Sequence, residues 1–282
     1  MKLSVIDISN NKLKENELPS QFNEEIRPDL IKRAVLAIQG NKRQSYGAKP
    51  TAGKRSSSTL SKRRRDYKGS YGYGISRTPR KILSRRGRRF NWVGAFAPNT
   101  VGGRRAHPPK SEKIWKKKIN EKERKKAIRS AISATVLKEI VKDRGHILPN
   151  NYPFIIDAKI ESLTKTKDVR DFLNKIGFDA ELKRVSKKKI RAGKGKSRGR
   201  KYIRKKGPLI VVSKKNKLMD AAKNIPGIDV ALVESLNAEL LAPGYEPGRL
   251  TIFTDKSIER LDKEKLFTGI KVEEKPAKGG KR

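Results

Sequence analysis

Residues 208–213 have the sequence PLIVVS, which is the strongest indication of the fold class. A continuous apolar run of this length is typical of a β-strand buried on both faces, whereas a strand with one face in water alternates apolar and polar residues. Residues 153–157 (PFIID) have the same character. Strands of this kind belong to sheets that carry helices on both sides. We therefore predict an α/β fold with a mostly parallel sheet flanked by helices.

The chain on either side of residues 208–213 alternates between helical and strand patterns. Before Gly177, for example, apolar residues recur at helical spacing from Val169 to Ile176,. We predict strands at 153–157, 208–213, 228–233 and 249–254, a weaker strand at 178–185, and helices at about 169–176, 217–224, 236–241 and 256–266.

The N-terminal part predicts a strand at 3–8, an Asn-rich turn and a helix at about 28–39. Pro28 suits the first helical position, and Gly40 ends the apolar pattern. Beyond residue 110, Ser111 can cap a long helix that ends near Arg144, with Gly145 in the C-cap position. The segment between these two helices is of a different kind.

Residues 41–110 lack the apolar side chains for a core of their own. They contain twenty Lys or Arg and one acid, together with nine Gly and only six Leu, Ile or Val. Burial of so few apolar groups cannot offset the conformational entropy of ordering the segment. Seven of the chain's seventeen aromatic residues also lie here. We interpret the segment as a long extended basic loop that orders against nucleic acid.

A second basic segment, residues 183–206, has fourteen cations and no acid. Together the two segments carry +33 of the formal net charge of +42. The remainder is nearly balanced, so we predict one discontinuous globular α/β domain formed by residues 1–40 and 111–272. Residues 183–206 are then a second RNA-binding tract within that domain, and residues 273–282 are a disordered tail.

The predicted RNA-binding residues are cations and aromatic residues of these two segments, with His107. Arginine suits phosphate because its donors form a planar fork, and aromatic rings suit unpaired bases. In the loop they are Arg43, Tyr46, Lys49, Lys54, Arg55, Arg63, Arg64, Arg65, Tyr67, Tyr71, Tyr73, Arg77, Arg80, Arg85, Arg86, Arg88, Arg89, Trp92, Arg104, Arg105 and His107. In the second tract they are Lys187, Lys188, Lys189, Arg191, Lys194, Lys196, Arg198, Arg200 and Arg204.

Composition argues against several other classes of protein. With no Cys and two His, the chain has no disulfide framework and no usual zinc site, and we expect no cofactor,. No apolar run approaches the roughly 20 residues of a membrane span, and the N-terminus does not have a signal-peptide pattern. We expect an intracellular protein without a membrane partner, because nucleic acid supplies the counter-charge that such a basic chain needs.

Catalytic motifs are weak. The GKS at 195–197 lacks the first glycine of a phosphate-binding loop, because Ile190 occupies that position,. Asp7, Asp157 and Asp255 follow predicted strands, where they could hold Mg²⁺ in an RNA-processing enzyme, but helix caps and turns explain them better. We therefore predict that the chain is not an enzyme.

Several motifs resemble one known family. They are GGRRAHPPK at 102–110, IRAGKGKSRGR at 190–200 before the PLIVV strand, NIPGI at 224–228 and LAPG at 241–244. In this order they resemble the archaeal and eukaryotic form of the large-subunit ribosomal protein four family, over nearly all of residues 1–272. The short C-terminal tail resembles the archaeal members.

This resemblance implies a structural constituent of the large ribosomal subunit, a primary ribosomal-RNA-binding protein needed for subunit assembly in the cytoplasm. The long loop would form part of the polypeptide exit tunnel wall. The implied partners are large-subunit ribosomal RNA, neighbouring ribosomal proteins and the nascent polypeptide. The loop tip would lie within residues 77–96, and the candidates for it are Arg80, Arg85, Arg86, Arg88 and Arg89. The residues alone leave one alternative, a non-ribosomal architectural or regulatory protein that binds RNA or DNA.

Overall fold

The computed structural model describes residues 1–58, 60–67 and 69–269. The predicted disordered tail, 273–282, lies outside these described residues. Internal contacts divide the chain into two compact units. The α/β unit comprises Met1–Asn41 with Lys117–Arg282, and the loop unit comprises Lys42–Lys116.

The strands and helices alternate through most of the α/β unit, and the loop unit contributes one hairpin. In chain order they are β1 (Lys2–Ile6), β2 (Lys12–Glu17), α1 (Pro28–Asn41), β3 (Arg80–Arg86), β4 (Arg89–Gly94), α2 (Glu121–Val136), α3 (Lys138–Asp143), β5 (Ile155–Ile156), α4 (Thr166–Lys175), α5 (Asp179–Ser186), β6 (Lys189–Ile190), β7 (Tyr202–Ile203), β8 (Leu209–Val212), α6 (Leu218–Lys223), β9 (Asp229–Leu232), α7 (Ala238–Leu241), β10 (Thr251–Thr254) and α8 (Asp255–Lys263).

The central sheet of the α/β unit has the strand order β2-β1-β5-β10-β8-β9. Its neighbouring strands are parallel, except that β2 pairs with β1 in antiparallel orientation. The chain passes from β5 to β8 and later returns to place β10 between them. The predicted α/β class with a mostly parallel sheet is confirmed.

Helices cover both faces of this sheet, which explains the continuous apolar runs in the sequence. Because neighbouring strand residues point to opposite faces, Leu209 and Val211 join one core and Ile210 and Val212 join the other,. The first core includes side chains from α1, α2 and α8, and the second includes side chains from α4 and α6. All four β8 residues are fully buried.

The weak strand expected at 178–185 is wrong, because these residues form helix α5. Asp179 and Glu181 lie in its first turn, where acidic groups complement the helix dipole,. Glu181 and Val185 are four residues apart and are both buried, so the helical spacing places them on the same side,. A buried glutamate made this helix hard to recognise from apolar periodicity.

The long helix expected from Ser111 to Arg144 is shorter and interrupted. It begins at Glu121 rather than near Ser111, and the extended backbone of Leu137 separates α2 from α3. The predicted end is confirmed, since Gly145 has a φ of 86° and its N–H donates to the carbonyl of Lys142 at 2.8 Å,.

Strand β2 and the pair β3–β4 are two of the elements that were not predicted from the sequence. Strand β2 has the polar sequence KLKENE, which lacks apolar alternation, and it forms because β1 offers its edge. Strands β3 and β4 pair within the basic loop, where the sequence predicted no regular structure. In both cases the backbone pairing partner, rather than a buried face, specifies the strand.

Gly248 offers a test of the packing around α3. Its φ is +88°, and a Cβ placed there would lie 2.8 Å from the carbonyl oxygen of Ile140. We expect Gly248→Ala to lower the free energy of unfolding by about 2 to 5 kcal/mol, from left-handed strain and overpacking together. Gly244→Ala is the matched control, because Gly244 has a φ of +81° but no atom within 4 Å of the added Cβ. Urea unfolding should show that the control loses about 1 kcal/mol of unfolding free energy. Equal losses in the two variants would contradict the packing argument.

Candidate nucleic-acid interface

Hairpin β3–β4 of the loop unit gathers most of the candidate tip residues. The register pairs Arg86 with Arg89 at the turn and Arg80 with Gly94 at the other end. Gly87 lies in the turn with a φ of 58°, which suits glycine,. Arg80 is therefore separated from the other candidates along the hairpin. The exposed candidates at the turn are Arg85, Arg86, Arg88 and Arg89.

Aromatic rings of the loop unit lie beside arginines. The guanidinium of Arg77 lies 4.4 Å from the ring centroid of Tyr71, and that of Arg64 lies 5.8 Å from the same centroid. Tyr71, the ring beside these arginines, is 36% exposed, and Tyr67 and Tyr73 expose 84% and 72% of their surface. An exposed ring beside a cation can stack on an unpaired base while the cation pairs with a phosphate.

The two ends of the basic loop run side by side within the loop unit. The N–H of Ala48 donates to the carbonyl of Pro109 at 2.9 Å. Gly53 has a φ of +70°, and a Cβ there would lie 2.5 Å from the Cα of Arg104, so the close approach requires glycine. A cleft of about 670 Å³ follows this pairing, and the predicted residues that line it are Lys49, Lys54, Arg104 and Arg105.

A second cluster lies just beyond the predicted loop boundary. The guanidinium of Arg43 lies 3.6 Å from the ring centroid of Trp115, and the rings of Tyr46 and Trp115 are stacked with centroids 6.0 Å apart. Lys113 lies 4.5 Å from the Trp115 centroid. Trp115 and Lys113 were not among the predicted residues, because the predicted loop ended at Lys110. Trp92 is exposed on strand β4. The remaining predicted loop residues are exposed side chains outside these groups: Arg55, Arg63, Arg65 and His107.

The second basic tract forms hairpin β6–β7. Ile190 lies opposite Tyr202, whose ring centroid is 5.0 Å from the Nζ of Lys188 and 5.6 Å from that of Lys201. Tyr202 is 49% exposed, and it was missed because the tract was assessed for charge alone. Arg191 is half-buried and donates to the carbonyl of Arg200 at 3.0 Å. The other predicted residues of the tract are exposed: Lys187, Lys188, Lys189, Lys194, Lys196, Arg198, Arg200 and Arg204.

The C-terminal end of this tract is fixed to the sheet. Arg249, which is 1% exposed, donates to the carbonyl of Gly207 at 2.9 Å and to Asp229 at 2.6 Å. Lys206 reaches the same Asp229 carboxylate at 3.0 Å. Strand β8 and the basic tract that precedes it are therefore held in a defined position by one buried arginine.

A buried polar group also fixes the N-terminal side of the tract. The carboxylate of Glu181 accepts hydrogen bonds from Arg184 at 2.6 Å, from the N–H of Ile147 at 3.0 Å and from Nδ1 of His146 at 2.7 Å. Burial alone would raise the pKa of Glu181, but these three donors outweigh it and lower the pKa to about 2,. Burial lowers the pKa of His146, so its neutral ring donates to an ionised carboxylate.

The same buried group is linked to the basic tract through Arg184. One guanidinium nitrogen of Arg184 also donates to the carbonyl of Lys206 at 2.9 Å. Glu181 therefore connects α5 with both ends of the 183–206 segment.

Two of the three acids considered for a catalytic metal have structural surroundings. Asp157 precedes the 3₁₀ turn Ala158–Ser162, and Asp255 opens α8 and pairs with Lys14 at 2.8 Å. In the described ranges, no group of three or more His, Cys, Asp or Glu side chains could hold a metal ion. Within the same ranges, none of the helices has the length and apolar content that a bilayer span needs.

Glu161, which was not predicted from the sequence, makes several hydrogen bonds at this edge of the sheet. The carboxylate of Glu161 accepts hydrogen bonds from the N–H and Oγ of Ser213, at 2.9 and 2.8 Å, and from the Oγ1 of Thr254 at 2.7 Å. It also accepts from Asn216 at 2.7 Å. Glu161 thereby joins the C-terminal ends of β8 and β10, and no sequence motif marks it.

Comparison with known proteins agrees with the motifs and the fold. The family model of the ribosomal protein L4/L1 family matches residues 16–264. Large ribosomal subunit protein uL4 of Nanoarchaeum equitans is 52% identical over 268 residues, which cover 95% of this chain and 100% of that protein. The uL4 protein of Archaeoglobus fulgidus is 44% identical over 265 residues, covering 93% and 98%. The resemblance inferred from the motifs is confirmed, and the chain belongs to the ribosomal protein L4/L1 family.

Proposed function

We propose that this chain is a structural constituent of the large ribosomal subunit and that it binds ribosomal RNA through the loop unit and residues 183–206. The placement of charge carries the proposal. The two basic segments hold +33 of the net +42, and their predicted RNA-binding side chains are exposed or half-buried. Membership of a family whose archaeal relatives are named as large-subunit proteins supports it. In this role the chain is a cytoplasmic structural protein rather than an enzyme.

Sedimentation tests the proposal directly. The tagged chain should sediment with large subunits at low salt and should leave them only at high salt, because many phosphate contacts make the affinity salt-dependent. A chain that sediments alone at low salt would contradict the proposal.

We further infer that the turn of β3–β4 contacts the nascent polypeptide in the exit tunnel. The turn presents four exposed arginines on a short two-stranded element. The base of the loop, by contrast, has paired backbone and a cation-lined cleft that suits RNA phosphates. Neighbouring ribosomal proteins are the expected partners of the α/β unit, since the remaining surface outside the basic tract is nearly balanced in charge.

Two double variants separate the roles of base and turn. Arg104→Ala with Arg105→Ala should reduce incorporation into large subunits about tenfold or more, because each lost charged hydrogen bond costs roughly 1.5 to 3 kcal/mol. Arg88→Ala with Arg89→Ala should leave incorporation within about twofold and should instead change how arrest-prone nascent chains pause. Quantification of the chain in purified subunits and ribosome profiling provide the two measurements. Normal incorporation of the Arg104/Arg105 variant together with poor incorporation of the Arg88/Arg89 variant would refute these roles of base and turn.

A duplex-binding architectural protein is the competing class. Such proteins use the backbone and grooves of a duplex, whereas the exposed rings of Tyr67 and Tyr73 suit unstacked bases,. Large-subunit ribosomal RNA should therefore compete better than duplex DNA at equal salt. Equal competition would favour the architectural class.

A further inference from the structure

We propose that the cleft between α5 and hairpin β6–β7 binds one extruded, unpaired nucleotide of ribosomal RNA. The inference rests on the proposed function and specifies the ligand of the second basic tract. The cleft measures about 830 Å³, which is within the range of small-ligand sites,.

The lining of the cleft combines cationic side chains, here called the rim, with apolar side chains, here called the floor. The floor consists of Ile147, Ala180 and Ile203, and the two isoleucines are 45% and 46% exposed. The lining contains no acid, and its charged side chains are Lys183, Arg184, Lys187, Lys188, Lys189, Arg204 and Lys205.

This combination favours a nucleotide over a continuous duplex. The phosphates of a duplex would satisfy the ammonium groups but would leave the isoleucines without a partner. An extruded base has an apolar face that can cover the floor, while its own and neighbouring phosphates meet the rim. Burial of the exposed part of Ile203 then adds to the electrostatic affinity.

The register of the hairpin places Ile203 on the cleft side. Ile203 lies opposite Lys189, and both line the cleft, whereas Ile190 lies opposite Tyr202 and neither does. Lys188 and Arg204, which flank the paired residues, also reach the lining. Residues directly opposite in an antiparallel pair share a face, and within the paired strands adjacent residues alternate. The two isoleucines of one hairpin therefore face opposite directions, with Ile190 59% exposed.

The Glu181 group holds Ile147 of the floor and Arg184 of the rim in place before any ligand binds. Glu181 accepts from the N–H of Ile147 at 3.0 Å and from Arg184 at 2.6 Å, and Arg184 donates to the carbonyl of Lys206 at 2.9 Å. One buried carboxylate thus positions part of the floor, part of the rim and the end of the hairpin. A site held in this way loses little freedom on binding, which favours affinity.

Fluorescence and affinity measurements on the full chain test the proposal. The probes are an RNA duplex and the same duplex with a single 2-aminopurine bulge, because a base that is already unpaired costs little to extrude. We expect the chain to bind the bulged RNA about tenfold more tightly and to change the 2-aminopurine emission. Ile203→Ser should reduce that preference about three- to tenfold. Ile190→Ser, on the opposite face of the hairpin, should change it less than about twofold.

Ile203→Val controls for folding and should retain most of the preference, since it keeps an apolar, β-branched side chain. The proposal would be overturned if Ile203→Ser and Ile190→Ser had equal effects, or if the chain bound both RNAs with equal affinity. The proposed function would still stand in that case, provided that RNA binding depended steeply on salt. A further outcome is that an acidic peptide displaces the bulged RNA from the parent chain but not from Ile203→Ser. That result would assign the cleft to a protein partner and would overturn the proposal. A flat salt response with every RNA would instead contradict the proposed function.

Discussion

Binding of the full chain to large-subunit ribosomal RNA should weaken about 10⁴- to 10⁵-fold when salt rises from about 50 to about 200 mM. If roughly ten cations neutralise phosphates, the logarithm of affinity should fall with the logarithm of salt at a slope of about −7 to −9. The net charge of +42 and the exposed cations of the two basic segments are the physical basis. Filter binding over a salt series gives the slope, and a nearly flat response would be incompatible with phosphate-dominated recognition.

The contribution of the second tract can be isolated by charge removal. Replacing Lys187, Lys188 and Lys189 together by Gln should make the slope of log affinity against log salt shallower by about 2 to 3. The control replaces Lys138 and Lys142, which are exposed on α3 outside both basic segments. Their removal should change the slope by less than about 1. If the control changes it as much, the binding depends on overall charge rather than on the tract.

Glu181→Ala should lower the free energy of unfolding by about 3 to 5 kcal/mol, the usual cost of removing one partner from a buried ion pair. Glu181 is fully buried and Arg184 is largely buried. The variant would therefore leave the Arg184 guanidinium, the N–H of Ile147 and Nδ1 of His146 without the carboxylate that accepts their hydrogen bonds. Glu259→Ala is the control, because Glu259 pairs with Lys263 at 3.2 Å on the exposed face of α8. The control should lose less than about 1 kcal/mol. Urea unfolding of both variants provides the comparison. Similar losses of unfolding free energy would show that the buried Glu181 group stabilises the fold no more than an exposed ion pair does.

The Glu181 group also has a pH signature. Its pKa is lowered from 4.5 to about 2 in the folded state, so the unfolded state binds a proton first as pH falls,. The stabilisation is complete above about pH 4.5 and is lost as pH falls towards about 2, and it amounts to something on the order of 3 kcal/mol. The difference in stability between the parent and Glu181→Gln should shrink across this window. A constant difference would contradict the assignment of the ionised carboxylate.

Particular residues explain which parts of the fold could be predicted from sequence. The runs PLIVV and FII are continuous because both faces of the sheet are covered, and this pattern predicted the central strands correctly,. Pro28 and Gly145 marked helix ends through their own backbone preferences, and both are at the predicted places. These signals are local, so tertiary structure was not needed to interpret them.

Helix α5 and strand β2 could not be recognised in this way. Helix α5 buries Glu181, a residue type that apolar periodicity assigns to the surface, and it does so because Arg184, His146 and Ile147 supply hydrogen bonds,. Strand β2 is polar and depends on the edge of β1. Both elements depend on partners that lie elsewhere in the chain.

The α/β class, the two cationic segments and the family could all be inferred before the structure was known, because apolar periodicity, charge and short motifs are properties of contiguous residues. The folded chain was needed to show that Ile203 and Lys189 line a cleft that Tyr202 and Ile190 do not line. It was also needed to show that Glu181 connects α5 with both ends of the second tract. The reason is physical: strand register and buried hydrogen bonds join residues far apart in the chain, and neither leaves a periodic trace in the sequence.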